Sequence, residues 1–328
     1  MIRTDVSLFN PDRVCDSGQI FRMYRKDGAA SVFLIYSGNR RLVITREGND
    51  VFFHCDNDEY EGYWKHYLDM DRDYSEFEKK LDRRDEFLMR ACRAGKGLRI
   101  LNQDLFEMII SFIISQQKQI PSIRKCVEAL CERFGERHEP EETVAPQVSD
   151  KEQGKGRLRT DIKDCEGDKV KVTSGMDYSE EIWYGFPSPE SIAAAGEEGL
   201  KGLSLGYRER YVYESSCRFI EVESELRTAI ERKDYKKAKD ILLSMTGIGE
   251  KVADCIMLFG CGDLDSFPVD THIISILERE YSTETTGVEK LTPAQARARA
   301  REIFGRYKGF SGLVQQWIFA YEIMKNQS

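Results

Sequence analysis

At 328 residues the chain is long enough for one large domain or two ordinary ones, each able to bury a core. Its hydrophobic fraction of 41% is slightly low and its charged fraction of 32% slightly high for a globular protein. The net charge of −8 argues against a polyanion partner for the surface as a whole, yet residues 137–181 hold 12 acids and 8 bases and carry half of that excess, so a basic face elsewhere stays open to DNA.

In chain order, Ser31–Tyr36 and Arg41–Thr45 flank the turn Ser37-Gly38-Asn39-Arg40, and Val51–Cys55 follows the turn Glu47-Gly48-Asn49-Asp50. This predicts a short antiparallel meander. An aromatic cluster (Tyr60, Tyr63, Trp64, Tyr67) leads into a charged helix at about Tyr74–Ala94. From residue 98 the pattern is helical. Asn102-Gln103-Asp104 can cap a helix whose apolar positions are Leu105, Met108, Ile109, Phe112 and Ile113. Pro121 opens the next, with Ile123, Val127, Leu130 and Phe134 on one face and Gly135 to stop it. Residues 137–181 lose periodicity and read as a mobile polar insertion. Helical patterns resume at Pro187–Ala195, Glu198–Leu203, Tyr211–Arg232 and Tyr235–Ser244. The expected fold class is α+β, with an N-terminal antiparallel sheet domain in residues 1–97 and a mostly helical domain in 98–328.

Nine cysteines are scattered singly and the four histidines are isolated, so free thiols and no metal site or cofactor are expected. No run of about 18 apolar residues occurs, and the start MIRTDVSLFNPDR lacks a signal-peptide layout. A soluble intracellular protein with no membrane partner is expected.

The chemistry is concentrated in Leu243 to Cys255. A helix ends at Met245, Gly247 and Gly249 make a tight turn, and a second helix begins at once, placing Lys251 in its first turn. Backbone N–H groups at that helix start suit a phosphate. Nineteen residues on, Phe267-Pro268-Val269-Asp270-Thr271-His272 places Asp270 to cap the helix Thr271–Glu280. Taken alone, Lys251 is a helix-start lysine and Asp270 a helix cap.

Together these stretches, L-x-x-x-G-x-G-x-K followed by P-V-D, resemble the helix-hairpin-helix DNA glycosylase superfamily. Ser17-Gly18-Gln19-Ile20-Phe21-Arg22, Gly185-Phe186-Pro187-Ser188, Leu205-Gly206-Tyr207-Arg208, Val252-Ala253-Asp254-Cys255 and Gly312 through Phe319 narrow the resemblance to the 8-oxoguanine DNA glycosylase/AP lyase family. It runs over nearly the whole chain except 137–181. It implies excision of 8-oxoguanine from double-stranded DNA by a monomer, with the hairpin at about 237–259 and the N-terminal sheet domain contributing to the base pocket.

By that resemblance Lys251 attacks the sugar C1′ to form a Schiff base and Asp270 stabilises positive charge on the sugar. The helix start and a desolvating sugar are expected to push the lysine's pKa down. The Gly18 carbonyl accepts the N7–H of 8-oxoguanine, Gln315 meets the Watson–Crick edge, and Phe319 and Cys255 lie against the two faces of the base. Read from the residues alone, Gly18 is equally a turn glycine, and Phe319 and Cys255 equally core. Tyr207 is the matching wedge, Arg208 and Gln117 face the orphaned base, and His272 meets a phosphate. Tyr207 could instead be a buried anchor and His272 simply exposed. Where eukaryotic members carry a cytosine-reading arginine, this chain has Ser122. Strict cytosine preference is therefore not implied. The alternatives are an alkylpurine glycosylase of the same superfamily, which lacks a hairpin lysine, and a non-catalytic hairpin module, which needs neither Lys251 nor Asp270.

Overall fold

The computed structural model describes residues 1–26, 31–139, 162–163, 169–170, 182–282 and 290–327. The chain divides into two units, one formed by Met1–Glu136 with Tyr184–Ser328 and the other by Arg137–Trp183. Most of the expected polar insertion lies outside the described residues. Within the second unit, Ile162–Lys163 and Lys169–Val170 pair antiparallel, and the rings of His138 and Trp183 stack with centroids 3.9 Å apart.

The first unit begins with strand β1 (Ile2–Asp5), helix α1 (Pro11–Asp16) and strands β2 (Met23–Arg25), β3 (Val32–Ser37), β4 (Arg40–Glu47) and β5 (Asp50–His54). They form one antiparallel sheet in the order β1-β5-β4-β3-β2. The two read turns close as two-residue loops, with Ser37 opposite Arg40 and Glu47 opposite Asp50. Gly38 and Gly48 take positive φ there, which glycine adopts without strain. The expected meander is thus the middle of a larger sheet. Its outer members, β1 and β2, have only four and three residues, too few to display a period of two.

The aromatic cluster forms the turns α2 (Asn57–Glu59) and α3 (Lys65–Tyr67) around a π-helical turn at Tyr60–Trp64, with Trp64 fully buried. The expected helix over Tyr74–Ala94 is instead two, α4 (Ser75–Glu78) and α5 (Glu86–Ala94). The break has a local cause. Asp82 accepts a bond from the backbone N of Arg84 (3.1 Å) and Asp85 caps α5 by accepting from Leu88 N (2.9 Å), so two aspartates compete with continuous helix.

The helical core follows: α6 (Leu105–Ser115), capped by Asp104, α7 (Ile120–Phe134), α8 (Pro189–Gly199), α9 (Arg208–Glu231), α10 (Tyr235–Leu243), α11 (Glu250–Phe259), α12 (Thr271–Glu280), α13 (Pro293–Phe304) and α14 (Ser311–Gln327). The two helices expected around Ala195 and Glu198 run together as α8, kinked at Gly196 where φ is +66°. Among the described residues no helix is long and apolar enough to cross a membrane.

The fold brings the N-terminal segment onto the helical core at α6. Phe21 meets Phe112 edge-on at 5.4 Å, and the Gly38 amide donates to Glu107 on the same helix. Phe112 also stacks on Phe259 of α11 at 5.7 Å, so one buried ring joins the Ser17–Phe21 segment to the helix that carries Lys251.

Candidate active site

The turn between α10 and α11 needs glycine at only one of its two glycine positions. Gly247 has φ +83°, and a Cβ there would lie 2.6 Å from Tyr211 Cδ2. Gly249 has φ −96° and open space where a Cβ would go. As the N-cap of α11 it supplies no side-chain acceptor, so the first N–H groups of the helix are left uncapped by any side chain. The turn is gripped from behind by Gln116 Nε2, which donates to Gly247 O (2.9 Å), and by Ser215 Oγ, which donates to Thr246 O (2.8 Å).

Lys251 is half-buried in the first turn of α11, its ammonium 5.5 Å from the centre of the Phe112 ring. Cys255, one turn on, is buried, and burial pushes its thiol up to about 11. Asp270 caps α12 by accepting from Ile273 N (2.9 Å). The helix start does not by itself lower the lysine's pKa. The facing Cys255 sulfur raises it above the ordinary lysine value, burial works against this, and the Asp270 carboxylate raises it further. Because Cys255 keeps its proton until about pH 11, the charge acting on Lys251 at neutral pH is that of Asp270. Lys251, Cys255 and Asp270 thus come together, on two different helices.

A second set converges from the chain ends. Gly18, with φ +72°, lies so near Phe319 that an added Cβ would be 3.2 Å from Cε1 and 3.9 Å from Ile120 Cδ1. Phe319, on α14, meets the His272 ring edge-on at 5.8 Å, which carries the contact from Gly18 to the start of α12 beside Asp270. Gln315, one turn earlier on α14, is buried and accepts a bond from Gln316 Nε2 (2.9 Å).

A third group surrounds the hairpin. Gln117 is exposed with φ +53°, an uncommon conformation for a residue with a side chain. Tyr207 is half exposed, edge-on to Tyr211 at 5.5 Å. Lys118 Nζ donates to Ser204 O (2.9 Å), tying the 116–118 and 204–208 loops together. Arg208 differs from the expectation. It is buried, and its guanidinium donates to Leu205 O (3.0 Å) and to Gln116 O, so it supports the loop that carries Gln117 from within. Ser122 is exposed in the first turn of α7, and His272 is exposed.

Comparison with known proteins places this arrangement. Residues 1–109 match the family described as 8-oxoguanine DNA glycosylase, N-terminal domain, and residues 110–304 match the HhH-GPD superfamily base excision DNA repair protein. The chain belongs to the 8-oxoguanine DNA glycosylase/lyase family of HhH-GPD proteins. An N-glycosylase/DNA lyase of Arabidopsis thaliana is 23% identical over 320 residues, covering 94% of this chain and 75% of that protein. The N-glycosylase/DNA lyase of Saccharomyces cerevisiae is 26% identical over 196 residues, 57% of this chain, and the match spans 42% of the yeast protein's length. Among solved structures, the Clostridium acetobutylicum 8-oxoguanine glycosylase/lyase bound to double-stranded DNA superimposes with TM-score 0.77 at 26% identity, over 98% of this chain and 94% of that one. The 3-methyladenine DNA glycosylase of Archaeoglobus fulgidus, at 20% identity and TM-score 0.67, shares the fold.

For this 8-oxoguanine glycosylase family member, several residues around the site were missed in the sequence. Phe112 reads only as an apolar helix position and Ile120 and Tyr211 carry no motif, yet the Phe112 ring faces the Lys251 ammonium and Ile120 and Tyr211 border the space beside Gly18 and Gly247. Gln116 and Ser215 hold the hairpin through single long-range bonds that no local pattern announces. Gln316 carried a signal, two amides side by side on an otherwise apolar buried stretch of α14.

Proposed function

We propose that this chain flips 8-oxoguanine out of duplex DNA and excises it through a Lys251 Schiff base, then cleaves the strand by β-elimination. The observation that carries this reading is the convergence of Lys251, Cys255 and Asp270 with Gly18, Gln315 and Phe319, residues spread from position 18 to 319. A hairpin module that only held DNA would not need the second set.

Extrusion is required because the glycosidic carbon is out of reach in a stacked duplex. Tyr207 fills the gap, Gln117 meets the orphaned base, and the Gly247–Gly249 turn with His272 binds backbone phosphate. The base enters between Phe319 and Cys255. There Gln315 contacts its Watson–Crick edge and the Gly18 carbonyl accepts the N7–H that guanine lacks. Guanine would set a lone pair against that carbonyl, at a cost of about 1–3 kcal/mol. The Lys251 amine, once unprotonated, attacks C1′ as the C1′–N9 bond breaks and its electrons leave with the base. The Asp270 carboxylate offsets the positive charge that grows on the sugar. The nitrogen then loses a proton and the C1′–O4′ bond opens, O4′ becoming a hydroxyl, to give the imine; loss of a proton from its C2′ breaks the C3′–O bond and expels the 3′ phosphate. No metal or redox cofactor enters these steps. The protein acts as a monomer inside the cell, where its DNA is. Residues 1–97 supply the sheet portion and the Gly18 wall of the pocket, and residues 98–328 the helical portion with the hairpin at about 237–259.

Incubation with a labelled 8-oxoguanine duplex tests the reading. Free 8-oxoguanine and a nicked strand are expected together. No action on this duplex, with release of alkylated purines from a parallel alkylated duplex, would contradict it and favour the alkylpurine branch.

A further inference from the structure

A single peptide decides whether the pocket offers an acceptor or a donor to the base. The unit between Gly18 and Gln19 carries the Gly18 C=O on one side and the Gln19 N–H on the other. In a planar trans peptide these point in opposite directions, and no cis bond occurs among the described residues. Rotation of the unit by half a turn would replace the carbonyl by an N–H. That donor would match N7 of ordinary guanine and reject the N7–H of 8-oxoguanine. Glycine, already at φ +72°, resists such a rotation less than any other residue. Something else must hold it.

Around this peptide the buried polar side chains bond to one another and to nearby backbone. Ser17 and Gln19 are both fully buried. The Gln19 N–H faces Ser17 Oγ at 3.5 Å, and Ser17 Oγ donates to Val14 O at 2.7 Å. The Gln19 amide is oriented without ambiguity. Its Oε1 accepts from Leu101 N (2.9 Å), while its Nε2 donates to Arg99 O (2.8 Å) and Ser17 Oγ (3.0 Å). Gln103 Nε2 donates to Gln19 O at 2.8 Å. A flipped peptide would turn the Gly18 carbonyl toward the Ser17 oxygen, whose only proton is given to Val14, and leave two acceptors facing each other.

We infer that Ser17 and Gln19 are positioning residues that lock the Gly18 carbonyl toward the base and thereby set the preference for 8-oxoguanine over guanine, with Gln103 steadying Gln19. The inference rests on the proposed function. A positioning role differs from a general structural one in what it leaves intact, because nicking of a preformed abasic site involves no base.

The test compares Ser17→Ala and Gln103→Met with the unaltered chain. The readouts are affinity for duplexes holding 8-oxoguanine or guanine at one position, and the nicking rate on an abasic duplex. Ser17→Ala is expected to lower the preference for 8-oxoguanine about tenfold, and Gln103→Met about threefold, with abasic nicking within twofold of the unaltered rate. Unchanged preference in both variants overturns the inference. So does a parallel fall in preference and abasic nicking, which marks general loss of structure. An unaltered chain with no preference for 8-oxoguanine instead sinks the proposed function itself.

Discussion

The Lys251 ammonium lies 5.5 Å from the centroid of Phe112, and the same ring packs edge-on against Phe21, three residues from Gly18. A cation over an aromatic face is favoured by about 0.5–2 kcal/mol, and this favours the protonated lysine. Removing the ring lowers the lysine pKa and frees the amine at lower pH. Phe112→Leu is therefore expected to move the alkaline rise of the Schiff-base step toward acid by up to about one pH unit. Borohydride trapping rates across pH 7–11 measure it, and an unchanged or alkaline-shifted profile counts against the account.

Glu107 presents a second pH effect, on stability. It is fully buried, and burial pushes its carboxyl up to about 7 despite the opposing charge of Arg22. Its folded value lies above the unfolded one, so the folded state holds the proton more tightly. Stability from this group is greatest below about pH 4.5, falls as pH rises to about 7 and is level above that, a change on the order of 3 kcal/mol. In urea melts, Glu107→Gln should gain on the unaltered chain steadily between pH 4.5 and 7. A constant difference across that range would show that Glu107 is not the titrating group.

The two hairpin glycines should separate cleanly. Gly247→Ala places a Cβ against Tyr211 at a positive φ, with an expected cost of about 2 kcal/mol or more in denaturant unfolding. Gly249→Ala meets nothing and keeps an ordinary φ, so stability should hold to within about 1 kcal/mol. Duplex affinity should still fall, since the methyl group stands at the uncapped helix start. Equal stability losses at both positions would refute this.

Exposed Ser122 cannot make the bidentate contact to an opposite base that an arginine can, a contact that contributes about 1–3 kcal/mol of discrimination. Excision rates opposite the four bases should spread by less than about tenfold, and Ser122→Arg should widen the spread in favour of one base. A strict single-base preference in the unaltered chain would contradict this.

The sequence disclosed most where a motif is local. The hairpin, the Asp270 cap and the helix Thr271–Glu280 are each set by adjacent residues, and they stand where the pattern put them. The two glycine turns of the sheet were equally legible, while β1 and β2 were too short to show periodicity. The break between α4 and α5 was written in Asp82 and Asp85 but masked by the helical charge pattern around them. Arg208 shows a different limit. Whether an arginine points at DNA or into the protein depends on carbonyls contributed by Gln116, 92 residues away. The lysine's raised pKa likewise depends on the facing Cys255 sulfur and on Asp270 of another helix, and not on the helix start alone.

The most direct measurement is borohydride trapping on an 8-oxoguanine duplex by the unaltered chain, Lys251→Gln and Asp270→Asn. The account predicts a covalent protein–DNA adduct with the unaltered chain, none with Lys251→Gln, and a slowed but detectable adduct with Asp270→Asn. An adduct that survives in Lys251→Gln, or none with the unaltered chain, would contradict it.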